Sequence, residues 1–146
     1  MKKGDDLTVK NIITLLLFAF IGWVACGATM GIGMALTSLD ATLIIHAIGA
    51  PIYFIILSFL YFRKFNYTNP VVTASAFLGF VIVLDFFLVA LIINRSLDMF
   101  RSFLGTWLPF ILIFMATWVT GEIVTLGALA FFGGKNSSDR KSKSDV

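Results

Sequence analysis

The sequence is poor in charge, cysteine and histidine, and each shortage excludes a class of protein. Charged residues make up 13% of the 146 residues, about half of the roughly 25% found in soluble domains. Together with a mean hydropathy of +0.97, this excludes a soluble enzyme and a disordered chain. The single cysteine, Cys26, excludes an internal disulfide. One histidine and no HExxH-type spacing argue against a metal site in a single chain, and only copies of His46 and a carboxylate meeting at an oligomer axis would provide one. We expect no metal and no cofactor.

What the sequence has in abundance is long apolar runs. A helix needs about 20 apolar residues to cross the hydrocarbon core of a membrane. Runs without alternating polar residues favour helices over a barrel, and short loops favour antiparallel neighbours. We therefore predict an all-α, antiparallel bundle of four transmembrane helices as a single domain over residues 1–132. The predicted spans are 12–36, 41–62, 71–93 and 104–132.

The distribution of lysine and arginine predicts the orientation. All eleven lie outside the four runs; nine fall at the termini or between the second and third runs, and two between the third and fourth. The positive-inside rule then predicts that both termini are cytoplasmic, in a multi-pass protein of a bacterial or archaeal plasma membrane. The net charge of +3 is explained by attraction of the lysines and arginines to anionic lipid headgroups. We therefore expect the lipid bilayer as a partner and no nucleic acid. Paired glycines should end the last helix, leaving 133–146 as a polar, mobile cytoplasmic tail.

Ionisable side chains inside the predicted spans are the main functional candidates, because such residues usually face a bundle interior. They are His46, Asp85 and Glu122. At about 1.5 Å per residue, His46 and Asp85 lie at similar depths, so we predict a hydrogen bond from Asp85 to His46 or Tyr53. These four residues are a candidate proton or ion path, or, alternatively, polar contacts that hold the helices together.

Small residues, proline and tryptophan mark further positions in the spans. Gly22, Gly27 and Gly31 are predicted to allow close helix packing; the alternatives are packing within the chain, which we favour, and a seam between two copies. Pro51 should kink the second helix. The indole nitrogens of Trp23 and Trp118 need acceptors near mid-membrane, for which Asp85 or a helix carbonyl is a candidate. Between the third and fourth spans, Arg95, Asp98 and Arg101 have the i,i+3 spacing of ion pairs on a short interfacial helix.

Three functional hypotheses follow. The first is an accessory or scaffold subunit, or an oligomerising membrane protein, because the chain has no soluble domain. The second is a small proton-linked transporter or channel that uses His46, Asp85 and Glu122. The third is a membrane enzyme acting on a lipid or quinone-like molecule. The sequence has no nucleophile–base pair and no phosphate-binding loop, so enzyme activity is the weakest of the three. The expected assembly is a homo-oligomer or a larger membrane complex.

Overall fold

A computed structural model describes residues 9–93 and 95–144, with side chains described over 9–93, 95–98 and 100–130. Four long helices are apolar enough to cross a membrane, and the described residues contain no strand. They are α1 (Val9–Leu36), α2 (Leu39–Lys64), α3 (Pro70–Leu84, continued as a π-helix over Asp85–Ile93) and α4 (Leu108–Ser144, preceded by a π-helical turn over Phe103–Trp107). The predicted all-α class and the four spans are confirmed. Four helices of this length and composition fit a small multi-pass membrane protein.

Local sequence signals explain where α2 and α3 begin and end. The Ser38 hydroxyl caps α2 by accepting from the Ala41 N–H at 3.3 Å, and Arg63 and Lys64 lie in its last turn, where cations complement the helix dipole. Asn66 then adopts a φ of 45°, a left-handed conformation that asparagine tolerates better than most residues. Pro70 occupies the first turn of α3, where its missing N–H needs no partner.

Helix α4 is longer than the sequence predicts. Its backbone stays helical past Gly133 and Gly134 to Ser144, so the prediction that the paired glycines end the helix is wrong. Glycine lowers helix propensity without blocking helical dihedral angles, and elongating a long helix adds one hydrogen bond per residue. The side chains of 131–144 and the whole of 145–146 lie outside the described part of the chain. The predicted mobility of 133–146 therefore stays a prediction.

The four helices are arranged in a ring. The main contacts join α1 to α2, α2 to α4, α4 to α3 and α3 to α1, which puts α2 and α3 at opposite corners. Large rings from these two helices meet in the centre: Phe77 packs edge-on against Phe54 at 5.8 Å and against Tyr61 at 6.1 Å between centroids. All three side chains are fully buried. Packing of this kind fills the bundle centre with aromatic side chains.

The outer surface is also apolar. Isoleucine, leucine, valine and phenylalanine side chains are exposed on all four helices. Water would make such a surface costly, whereas acyl chains are as apolar as leucine. The few polar groups within the helices therefore lie between an apolar exterior and an aromatic centre.

Candidate functional site

Asp85 and Trp23 form the most prominent polar contact in the spans. The indole Nε1 of Trp23 donates to Oδ1 of Asp85 at 2.8 Å, and both side chains are part-buried. The two residues lie on α1 and α3, which are neighbours in the ring. Asp85 also stands where α3 changes from α- to π-helical geometry. The sequence offered Asp85 or a helix carbonyl as the acceptor for this indole, and in the structure the acceptor is Asp85.

His46 does not pair with Asp85, which corrects the predicted hydrogen bond. The prediction assumed that α2 and α3 are neighbours because they follow each other in the chain, but the ring places them at opposite corners. Similar depth in the membrane therefore does not bring the two side chains together. The Nδ1 atom of His46 is buried and has no hydrogen-bond partner among the described residues.

Tyr53 also has a different partner from the predicted one. Its hydroxyl lies 2.9 Å from the Thr29 hydroxyl on α1. The Thr29 hydroxyl also donates a hydrogen bond to the carbonyl oxygen of Ala25, at 2.9 Å. Helix α2 runs through Pro51 as one continuous element. The predicted kink at Pro51 stays a prediction, and the Tyr53 contact is one between α1 and α2 rather than with Asp85.

Glu122 is paired within its own helix. Nε1 of Trp118 donates to Oε1 of Glu122 at 3.2 Å, so the indole predicted to need an acceptor has one, four residues along α4. The neighbouring hydroxyls of Thr117 and Thr125 are buried without a partner in the described part of the chain. The contacts of Asp85, Tyr53 and Glu122 are thus separate pairs, and over the described residues they do not join into a continuous hydrogen-bonded path.

The glycines of α1 divide into two groups. A Cβ on Gly22 would lie 2.6 Å from Phe54 Cζ, and one on Gly33 would lie 2.5 Å from Thr42 Cγ2. Gly22 thus allows close packing of α1 on α2, as predicted. A Cβ on Gly27 or Gly31 would meet nothing within 4 Å, so the favoured prediction of packing within the chain is wrong for these two. They lie on the opposite, exposed side of α1.

The segment between α3 and α4 contains one of the two predicted ion pairs. Arg101 lies 3.7 Å from Asp98, with both side chains mostly exposed. Asp98–Arg101 is a single 3-10 turn rather than a longer interfacial helix, because Arg95 turns the chain with a φ of 50°. Exposed pairs contribute little to stability, and anchoring of this loop at the membrane surface stays a prediction.

Two further features were missed in the sequence. The buried Tyr61 hydroxyl lies 3.0 Å from Thr68, whose hydroxyl lies 2.7 Å from that of Thr73. Thr68 lies in the loop between α2 and α3 and Thr73 near the start of α3, and no spacing rule connects them to Tyr61. The other feature is a cavity of about 570 Å³ at the end of α2, lined by Phe18, Leu60, Arg63, Lys64 and Phe65. The clustering of Arg63, Lys64 and aromatic residues was its only signal in the sequence.

No catalytic arrangement emerges from these contacts. No three histidine, cysteine, aspartate or glutamate side chains of the described residues are grouped so that they could hold a metal ion. Searches with family models, among curated proteins and among solved structures each found no match to this chain. The distinctive features of the described chain are therefore its apolar surface and its few polar pairs.

Proposed function

We propose that the chain is an oligomerising subunit of a membrane assembly, in which α1 packs against α1 of a second copy. The observation that carries this proposal is the uncovered face of α1. Exposed small residues follow one another along it at helical spacing: Gly27, Ala28, Gly31 and Ala35. Within lipid, helices associate through close backbone packing at such small residues.

The contrast within α1 supports this proposal. Gly22 and Gly33 accommodate side chains of α2 at distances that a methyl group would not permit, whereas Gly27 and Gly31 have only open space beside them. Folding of the single chain explains the first pair and leaves the second without a role. Gly79 on α3 and Gly127 on α4 are equally open, so open space alone does not mark a helix contact. Gly27 and Gly31 differ in being two glycines one turn apart on the same exposed face of α1, the spacing typical of close helix contacts in membranes.

A second copy is the occupant that fits this face best. The strip has no charged or hydrogen-bonding side chain, so its recognition must come from shape. Exposed Val24 and Ile32 flank the glycines and can pack into the groove of an identical helix. A self-complementary strip is the simplest basis for a two-fold symmetric contact.

In this proposal the bundle is antiparallel, both termini are cytoplasmic, and the membrane is a bacterial or archaeal plasma membrane.

The test compares leucine substitutions at glycines that are equally open in the single chain. Gly27→Leu and Gly31→Leu should convert dimers into monomers, counted by photobleaching of single labelled molecules in dilute liposomes. Gly79→Leu on α3 and Gly127→Leu on α4 are the matched controls, since a Cβ at either also meets nothing within 4 Å. Monomeric wild-type protein, or equal loss in all four variants, would contradict the proposal.

A second candidate function, proton-linked transport, is favoured by the position of Asp85. This ionisable group lies within a span, part-buried, at the start of a π-helical segment, and π-helical turns are frequent at functional sites. Asp85→Asn keeps an acceptor for Trp23 but cannot titrate. In proteoliposomes, folded Asp85→Asn protein that loses a wild-type proton flux would support transport, and unchanged flux would exclude Asp85 as the carrier.

A further inference from the structure

The cavity at the end of α2 combines apolar walls with two cations. It has a volume of about 570 Å³ and lies between α1, which contributes Phe18, and the C-terminal end of α2, which contributes Leu60, Arg63 and Lys64. Phe65, directly after the helix, completes it. Charged groups at the end of a spanning helix lie at the depth of lipid headgroups.

The apolar wall of this cavity is held in place by aromatic packing. The ring of Phe18 packs edge-on against Tyr61 and against Phe65, each at 5.7 Å between centroids. Tyr61 is fully buried and anchors both contacts to the bundle centre. A pre-formed wall binds an apolar group with little ordering cost.

The cations are held next to this wall and are not neutralised by the described residues. The guanidinium of Arg63 lies 5.6 Å above the ring of Phe59, and the ammonium of Lys64 lies 5.6 Å above the ring of Phe65. The one ion pair found in the described part of the chain joins Asp98 and Arg101, in a different loop. Cation–π contacts orient Arg63 and Lys64 but leave their donors available for an anion.

We propose that this cavity binds one phospholipid with an anionic headgroup, with the phosphate on Arg63 and Lys64 and the adjoining acyl chain against Phe18 and Leu60. Charge complementarity selects the headgroup, and the apolar wall selects a lipid over a free phosphate ion. The site is on the α2 side of α1, away from Gly27 and Gly31, so it does not depend on association through α1.

The first experiment measures lipid retained by the purified full chain in native mass spectrometry, with phosphatidylglycerol and phosphatidylcholine as probes. Wild type should retain phosphatidylglycerol in preference, and Arg63→Gln with Lys64→Gln should weaken its binding about tenfold, because each cation near an anionic surface contributes about fivefold or less. Arg95→Gln with Arg101→Gln removes the same charge elsewhere and should leave binding unchanged. Equal losses in the two double variants would overturn the proposal, because net charge alone would then explain retention.

The second experiment tests the acyl chain contact. Leu60→Ser should weaken phosphatidylglycerol binding while both cations remain, whereas Ile55→Ser, similarly exposed but on a different face of α2, should not. Inorganic phosphate at millimolar concentration should fail to displace the lipid from wild type. Full displacement by inorganic phosphate, or identical binding by the two serine variants, would show that the cavity does not hold a lipid.

Discussion

The indole nitrogen of Trp23 and the carboxylate of Asp85 are joined by a 2.8 Å hydrogen bond that links α1 to α3. Helices in a membrane gain little from burying apolar surface against each other, because the surrounding lipid is equally apolar. A directional bond between neighbouring helices therefore contributes to fixing which faces meet. It also gives the aspartate a protein partner at a depth where a lone polar group is costly.

Loss of this hydrogen bond should destabilise the bundle measurably. We expect Trp23→Phe to lower the free energy of unfolding by about 1 kcal/mol, because the carboxyl group loses its donor. Reversible unfolding in mixed micelles would measure this loss. Trp107→Phe is the control, since the Trp107 indole donates to the carbonyl of Phe100 at an exposed position. A larger loss in the control than in Trp23→Phe would contradict the interpretation.

Close packing of α1 on α2 at Gly22 gives a second prediction. A Cβ there would lie 2.6 Å from Cζ of Phe54, and this fully buried ring would have to shift. Gly22→Ala should therefore destabilise the chain by about 1–3 kcal/mol. Gly79→Ala, where the space is open, should be neutral or stabilising by up to about 1 kcal/mol through helix propensity. Thermal unfolding in detergent compares the two, and equal effects would argue against this packing.

The hydroxyl of Tyr61 should hold the loop between α2 and α3. Tyr61→Phe keeps the ring contacts but removes the 3.0 Å contact with Thr68. Thr68 and Thr73 still bond each other, so we expect a modest loss of about 1 kcal/mol. Faster amide hydrogen exchange confined to residues 65–69 would show that the loop is what loosens. Tyr67→Phe, an exposed neighbour, should leave exchange there unchanged.

The elements that could be predicted from the sequence are those that depend on local composition. Apolar run length gave the four spans to within a few residues, apart from the extension of α4. The need of the Trp23 indole for an acceptor pointed to Asp85. These inferences require only a segment and its immediate chemistry.

The failures at the candidate site concern which helices are neighbours. His46 and Asp85 have matching depths, but the ring order of the helices separates them, and no periodicity in the chain encodes that order. Gly22, Gly27 and Gly31 look alike in sequence, yet only Gly22 faces α2. Four apolar helices can be arranged in several rings with similar burial, so the choice depends on the fit of side chains such as Phe54 against Gly22.

His46 gives a prediction of its own because its Nδ1 is buried without a partner in the described chain. An unpaired buried polar atom is unfavourable, so His46→Leu should stabilise the isolated bundle by about 1 kcal/mol. Unfolding of the monomeric Gly31→Leu background measures this without interference from association. Destabilisation by His46→Leu in that background would mean that the imidazole has a structural partner.

The final prediction is the orientation of the chain in the membrane. In a Cys26→Ala background, single cysteines at Ser38 and Ser96 should react with an impermeant maleimide added outside sealed cells. Cysteines at Asn69 and Ser142 should react only after the membrane is opened. The physical reason is that nine of the eleven lysines and arginines lie at the two termini or at the junction between α2 and α3. Such clusters stay on the cytoplasmic side. Labelling of Ser142→Cys from outside would reverse the orientation, and labelling of Ser38→Cys and Asn69→Cys from the same side would show that α2 does not cross.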